Sequence, residues 1–272
     1  LMVLIPGGNG YIVNEAASPV FQQIIDADFT ANGAPQYVVF VDSFFVVTTD
    51  SKKFIKSASN DGLAWNALDF GTAESDPDNI VAPIVSNNRL YIGGSEGTEE
   101  FQNTGAGGFP FQRTGLFIPK GVFAPLSMID TGNTYMWIGG GTNEAAAIWQ
   151  LSGSNPVKVS NTAIDSKIQK FSQDDIKAAF AYSFSKNGQT FVGFTFPQLT
   201  IEYNIISNKW NERKSQIVNS KGLTKSIRWR VNSLVTAYGR LIVFDSQDGR
   251  IGELDTETYT EYNRVIIRKF ST

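Results

Sequence analysis

The 272-residue chain carries 23 Lys and Arg against 26 Asp and Glu, a net charge of −3, and contains neither Cys nor His. That balance excludes a protein that binds nucleic acid through its overall charge, and the missing thiols exclude disulfide staples. The absence of His also removes the Ser-His-Asp triad, the Cys-His dyad and the common zinc sites. Twenty Phe lead an aromatic share of 12%, a composition that leans to β structure.

Leu1–Ile5 is apolar but stops at Pro6-Gly7-Gly8, far short of a membrane span or signal sequence, so no membrane partner is expected. The chain opens directly on a strand, which reads as the start of an internal fragment of a longer protein. Strand runs then follow in groups. Met2–Ile5, Tyr11–Asn14 and Val20–Ile24 form a thin first group. Gln36–Val41, Phe44–Thr48, Phe54–Ser57 and Trp65–Phe70 form a second; Ile80–Val85, Arg89–Gly93, Thr98–Gln102 and Phe109–Arg113 a third. Leu126–Asp130, Thr134–Ile138, Ala147–Leu151 and Pro156–Val159 make the fourth.

The clearest group is the fifth: Ala181–Ser185, Thr190–Phe196, Thr200–Asn204 and Lys209–Arg213. Its breaks are Lys186-Asn187-Gly188, Pro197-Gln198 and Ile206-Ser207-Asn208, residues that tolerate positive φ or fix φ and remove a donor. Asn232–Ala237, Arg240–Asp245, Arg250–Leu254 and Thr258–Tyr262 make the sixth. Between groups four and five, Asn161–Phe171 and Ser172–Ala179 read as short helices with N-caps at Asn161 or Thr162 and at Ser172.

Six meanders with a turn-to-turn spacing of roughly 35 to 55 residues fit propeller blades. Strands and turns at this spacing also suit a β-sandwich or a β-rich solenoid, but the meander-sized period favours the propeller. The expected fold is therefore all-β: six four-stranded blades in a single propeller domain over residues 1–272, with a helical insertion near 161–179. Arg264–Phe270 is expected to extend the last blade or to pair with the first.

The chemical motifs are sparse. Gly7-Gly8-Asn9-Gly10 and Gly139-Gly140-Gly141-Thr142-Asn143 match no phosphate loop and read as turns. Asn60, Gly62 and Trp65 fall in register with the hairpin box of sialidase-type propellers, a folding device that puts a Trp beneath a closed turn. Carboxylates cluster at Glu74, Asp76 and Asp78, at Glu99 and Glu100, and at Asp245, Asp248 and Glu253. Glycoside hydrolysis needs two carboxyls converging on one bond, and nothing in these spacings shows convergence. No EF-hand pattern supports calcium on an acidic loop. No catalytic, cofactor or metal residue is assigned.

The strongest local signal is charge. Lys209, Arg213, Lys214, Lys221, Lys225, Arg228 and Arg230 face Glu212 alone, with Trp210 and Trp229 interleaved. Basic residues among aromatics suit a phosphate backbone or an acidic protein face, whereas a solvated loop between blades is the plainer reading. Lys214, Lys221, Lys225, Arg228 and Arg230 are the candidate partner- or DNA-facing patch.

A chain of short motifs carries a resemblance. Phe40-Val41-Asp42-Ser43-Phe44-Phe45 precedes Ser57-Ala58-Ser59-Asn60-Asp61-Gly62-Leu63-Ala64-Trp65 and Ala73-Glu74-Ser75-Asp76-Pro77-Asp78. Thr98-Glu99-Glu100-Phe101-Gln102-Asn103-Thr104-Gly105, Phe109-Pro110-Phe111-Gln112-Arg113 and Trp137-Ile138-Gly139-Gly140 follow, then Ala181-Tyr182-Ser183-Phe184, Thr195-Phe196-Pro197 and Trp210-Asn211-Glu212-Arg213. In this order, from about Val38 to Ser215, the sequence resembles the packaged-DNA stabilisation (tail hub) proteins of short-tailed bacteriophages. Asn211 and Asn187-Gly188-Gln189 depart from it where His is common in the family.

The resemblance implies a non-enzymatic virion protein. Its expected partners are the portal adaptor, the tail needle and the tailspikes, with contact to the DNA backbone and a homo-oligomeric ring. It implies location in the virion tail, and in the host cytoplasm during assembly, and brings no catalytic residues and no cofactor. The alternatives from other classes are a carbohydrate-active, sialidase-like propeller and a protein-interaction propeller.

Overall fold

The computed structural model describes residues 1–74, 79–218, 221–255 and 257–266, which divide into two compact units, Leu1–Lys177 and Ala178–Thr272. Antiparallel meanders build both, and together they make the six blades of a β-propeller arrangement.

The first unit holds four blades. β1 (Met2–Leu4), β2 (Gly10–Val13) and β3 (Phe21–Gln23) form the first. β4 (Pro35–Val41), β5 (Phe44–Thr49), β6 (Lys53–Ala58) and β7 (Asp61–Thr72) form the second. β8 (Ile80–Ser86), β9 (Arg89–Gly94), β10 (Thr98–Asn103) and β11 (Phe111–Ile118) form the third. The fourth has β12 (Gly121–Val122), β13 (Ile129–Asp130), β14 (Tyr135–Gly140), β15 (Ala147–Ser152) and β16 (Asn155–Lys158), with β12 and β13 both pairing to β14. Helices α1 (Thr162–Ile168) and α2 (Gln173–Lys177) follow, as expected from their caps. Asn161 Oδ1 accepts from the Ile164 amide at 3.0 Å, while Ser172 Oγ accepts from the Asp175 amide and Asp175 returns the bond to the Ser172 amide.

The second unit holds β17 (Phe180–Lys186), β18 (Gln189–Thr195), β19 (Thr200–Asn204), β20 (Lys209–Val218) and β21 (Thr224–Arg228) as one five-stranded sheet. β22 (Val231–Ala237), β23 (Arg240–Asp245) and β24 (Ile251–Glu253) form the sixth blade, and β25 (Thr260–Glu261) with β26 (Arg264–Val265) a separate hairpin.

Strand counts thus depart from four per blade. The first and sixth blades have three strands, the second and third have four, and the fourth and fifth have five. The run expected as a fourth strand of the sixth blade turns back at Tyr262 and Asn263, both at positive φ, and pairs with Arg264–Val265 instead. Arg264–Val265 therefore closes a local hairpin, and residues 267–270 of the expected closing strand lie outside the described residues. In the fourth blade only Ile129–Asp130 of the expected Leu126–Asp130 run is strand.

Each blade packs face to face on the next within its unit. Val47, Ile55 and Trp65 of the second blade meet Met2, Ile24 and Phe29. The opposite face of the same blade sends Val46 and Phe54 against Leu90, Ile92 and Phe101 of the third. Ile84 and Tyr91 of the third meet Tyr135, Trp137 and Leu151 of the fourth. In the second unit Tyr182 and Phe184 pack on Trp229, Val231, Leu241 and Val243. Both faces of such strands are dry, so they read as continuous apolar runs rather than alternating ones. Each fully buried Phe, Ile or Val contributes about 1.5–3 kcal/mol relative to exposure.

Gly139 and Gly140 are strand residues at the end of β14 rather than a turn, and they pair with Val122 and Gly121. A Cβ on Gly139 would stand 1.9 Å from the Gly121 carbonyl oxygen, so only glycine allows the strands to approach.

Candidate partner-facing surface

The stretch Lys209–Arg230 is not a loop. Lys209–Arg213 pairs with β19, and the second half of β20, Lys214 to Val218, leaves that ladder to pair with β21 as a two-stranded arm. The missed signal was Lys221-Gly222, with Gly222 at φ +74, between two strand-length runs.

The register distributes the candidate residues. Lys214 lies directly opposite Arg228, while Lys225 lies opposite Ile217, so Lys225 points to the other face of the arm. Lys214 is exposed and pairs with Glu212 at 3.0 Å. Lys221 and Lys225 are exposed near the tip. Arg228 is half-buried, donates to the Trp229 and Val231 carbonyls, and burial lowers its pKa. Two apolar residues, Val218 at 49% and Leu223 at 63% exposure, belong to the same tip and were not singled out from the sequence.

Arg230 is placed elsewhere. Its side chain is 9% exposed and is held by Asp245 and by Asp248 at 3.0 Å. The expectation that it joins an outward patch is corrected here: two acids of the sixth blade draw it inward. Arg250 completes the cluster, binding Asp248 at 2.6 Å and lying 3.9 Å over the Tyr262 ring. Hydrogen bonding from Arg250 pulls the Asp248 carboxyl down to about 2. Glu261 accepts from Ser215 Oγ at 2.7 Å, and burial raises its pKa. These contacts fasten the β25–β26 hairpin to the blades.

Arg213, the other member of the basic run that turns inward, binds Glu202 at 2.6 Å and lies 4.7 Å over Trp229. Burial opposes its charge, but Glu202 outweighs burial and raises the guanidinium pKa. The third blade repeats the device with Glu99 and Arg113 at 2.9 Å, and the second with Lys56 and Asp69 at 2.7 Å. In each case the pair links the third strand of a blade to the fourth.

The carboxylates weighed for catalysis are spent on these contacts. Glu99 binds Arg113, Glu100 accepts from Tyr91 at 2.7 Å, Asp245 and Asp248 bind Arg230, and Glu253 faces Arg240 at 3.7 Å. Asp76 and Asp78 lie outside the described residues. Among the described residues no three His, Cys, Asp or Glu gather as a metal site, and no helix is long and apolar enough to cross a membrane. The turn after β6 works as a folding device: Asn60 takes φ +54, Asp61 caps the Leu63 amide at 2.9 Å, and the Trp65 indole donates to Gly62 O at 2.9 Å. The side chain that closes the turn is thus Asp61, with Asn60 supplying the backbone conformation.

Meanders packed face to face and stapled by internal ion pairs define a β-propeller arrangement. The sequence matches the family described as bacteriophage P22 Gp10, beta-propeller, over residues 2–259. The chain belongs to that family, phage structural proteins of DNA stabilisation that are located in the virion.

Of two similar solved structures, the one with a TM-score above 0.5 agrees on fold alone. One chain of the S. cerevisiae dbp5 complex with nup159, gle1, ip6 and adp aligns at 8% identity and a TM-score of 0.52, over 90% of this chain and 70% of that one. BamB from Moraxella catarrhalis aligns at 12% identity and a TM-score of 0.47, over 94% and 85%. No curated protein sequence matches.

Proposed function

We propose that this chain is the tail hub of a short-tailed phage, a non-enzymatic propeller domain that helps retain packaged DNA. In this reading it joins the portal adaptor to the tail needle and tailspikes, forms a ring of identical copies, and works in the virion tail after assembly in the host cytoplasm. The family match over residues 2–259 carries the proposal. The engagement of Glu99, Glu100, Asp245, Asp248 and Glu253 with Arg or Tyr partners favours it over glycoside hydrolysis, which needs two converging carboxyls.

The test mixes the protein with portal–adaptor rings of candidate phages and images the mixture by electron microscopy. Density capping the ring, with release of packaged DNA when the protein is withheld from assembly, is the expected result. Failure to bind any cognate ring overturns the reading.

A further inference from the structure

The turns of the second and third blades wall a small polar cavity. Asp42 comes from the turn between β4 and β5, and Asn87 and Asn88 from the turn between β8 and β9. Arg89 opens β9, and Gln102 and Asn103 close the neighbouring strand β10. These side chains line a volume of about 320 Å³, near the lower end for ligand pockets, and all of them are polar. The cavity is set in place before any ligand arrives. Asn88 Nδ2 donates to Asp42 Oδ1, Asn87 Nδ2 to the Asn133 carbonyl, and Arg89 Nη1 to Gln102 Oε1. Asn103 Oδ1 accepts from the Gly105 amide at 2.9 Å. The next ladder pair, Leu90 and Phe101, is buried in the core of the second and third blades, which fixes the strands that carry Arg89 and Gln102.

Each of these bonds uses one end of a polar group and leaves another end open. Asp42 Oδ2, Asn87 Oδ1 and Asn88 Oδ1 remain as acceptors; Arg89 Nη2, Gln102 Nε2 and Asn103 Nδ2 remain as donors. None of these atoms has a hydrogen-bond partner among the described residues. A mixed set suits hydroxyl groups, because each hydroxyl both donates and accepts. Charged ligands fit less well. Arg89 is the cavity's single cation and shares it with a carboxylate, whereas anion sites gather cations, and a metal ion would meet the guanidinium. A nucleobase would ask for an aromatic wall to stack on, and the lining offers amides, a carboxylate and a guanidinium instead.

We propose that this cavity binds one neutral sugar ring, a hexose unit of a carbohydrate. Asp42 and the side-chain carbonyls of Asn87 and Asn88 accept from its hydroxyls, while Arg89, Gln102 and Asn103 donate to them. The site binds and does not hydrolyse, since Asp42 is its single carboxylate and cleavage takes two. Asn87 and Asn88 are exposed and the other four side chains half-buried, so water competes and the dissociation constant should be about a millimolar. The site requires nothing of the hub's protein contacts and holds whether or not the chain caps an adaptor ring.

Nitrogen-15 spectra of the full chain test this through the side-chain amides of Asn88 and Asn103. The probes are glucose, galactose, mannose and N-acetylglucosamine, with inorganic phosphate and calcium chloride as separate charged counterparts. Each is added to about 50 mM, well above a millimolar dissociation constant. At least one sugar should shift both amides, and phosphate and calcium should leave them in place. Two variants exchange a donor and an acceptor without changing size. Asp42→Asn turns the open acceptor into a donor and keeps Oδ1 for Asn88, while Gln102→Glu turns the open donor into an acceptor and keeps Oε1 for Arg89. Both should fold, as circular dichroism will check, and each should weaken sugar binding at least about tenfold. Amides that ignore all the sugars overturn the proposal, and so do folded variants that bind sugar as the wild type does. Shifts caused by phosphate or calcium in place of the sugars overturn it too, since the ligand would then be an ion.

Discussion

Asn88 donates its side-chain amide to Asp42 Oδ1 at 3.0 Å, across 46 residues of chain. The two residues occupy the turns between first and second strands of adjacent blades. Asn87 repeats the contact in the other direction, donating to the Asn133 carbonyl at 2.8 Å, also 46 residues away. The turns of the second, third and fourth blades are thus tied in series, one tie per repeat. Asp42, Ser43, Asn87 and Asn88 all have positive φ, the signature of two-residue hairpin turns that match strand twist.

The tie can be separated from the turn by choice of substitution. Asn88→Gly keeps the left-handed conformation and removes only the hydrogen bond, so it should cost about 1 kcal/mol. Asn88→Ala adds the strain of φ +58 on a residue with a Cβ, roughly 1 kcal/mol more. Urea unfolding of both variants checks the order. Equal losses would mean the backbone strain adds nothing, and an Asn88→Gly variant as stable as the wild type would mean the tie contributes nothing.

The ion pair between Arg213 and Glu202 is the second test. Glu202 is 4% exposed and also accepts from Tyr182 Oη at 3.2 Å, so removing the guanidinium strands a buried carboxylate. Arg213→Met should cost about 3 kcal/mol, the lower end for a broken buried pair, because the Arg side chain is itself 29% exposed. Adding Glu202→Leu should restore part of that loss. A double-mutant cycle in denaturant reads the coupling, and strictly additive losses would show that the pair does not act as one.

These features divide what the sequence discloses from what it hides. Turn pairs such as Asn187-Gly188, the caps at Asn161 and Ser172, and the order of meanders are local, so the chain displays them directly. Long-range electrostatics is not local. Arg230 and Lys225 look alike in a basic run, and it is Asp245 and Asp248, contributed by the sixth blade, that turn the former inward. The arm was readable, but its strand halves are masked by charge where apolar alternation would mark them. The sixth blade's missing fourth strand was concealed by Tyr262 and Asn263, since a bulky aromatic at positive φ is a rare turn residue.

Glu261 gives a pH prediction. Burial raises its pKa above the ordinary 4.5, against the lowering effects of the Ser215 hydrogen bond and Arg230; Asp245 nearby raises it further. Folding therefore favours the protonated acid. Its stabilising contribution is complete below the unfolded value and is lost as pH rises through the folded one. Asp248, held by Arg250, runs the other way: its contribution is present above 3.8 and fades as pH falls through about 2, a separate window. Melting temperatures of wild type and Glu261→Gln should diverge as pH rises above about 4.5, the variant becoming the more stable. Parallel curves would show that Glu261 does not titrate with folding.

The close approach of β12 to β14 gives the last prediction. An added methyl at Gly139 would meet the Gly121 carbonyl at 1.9 Å and the Trp137 ring at 2.8 Å. A carbonyl in a strand cannot swing aside as the end of a flexible side chain can, so the two strands must separate. The Gly121↔Gly140 pairing and the Trp137 Nε1 bond to Gly121 O at 3.1 Å would go with them. Gly139→Ala should cost at least about 3 kcal/mol, the upper end for overpacking. Gly107 is the control: nothing lies within 4 Å of its would-be Cβ, so Gly107→Ala should be neutral or gain up to about 1 kcal/mol from the stiffer unfolded chain. The two substitutions are chemically identical, so equal melting temperatures for the variants would refute the strand contact as the cause.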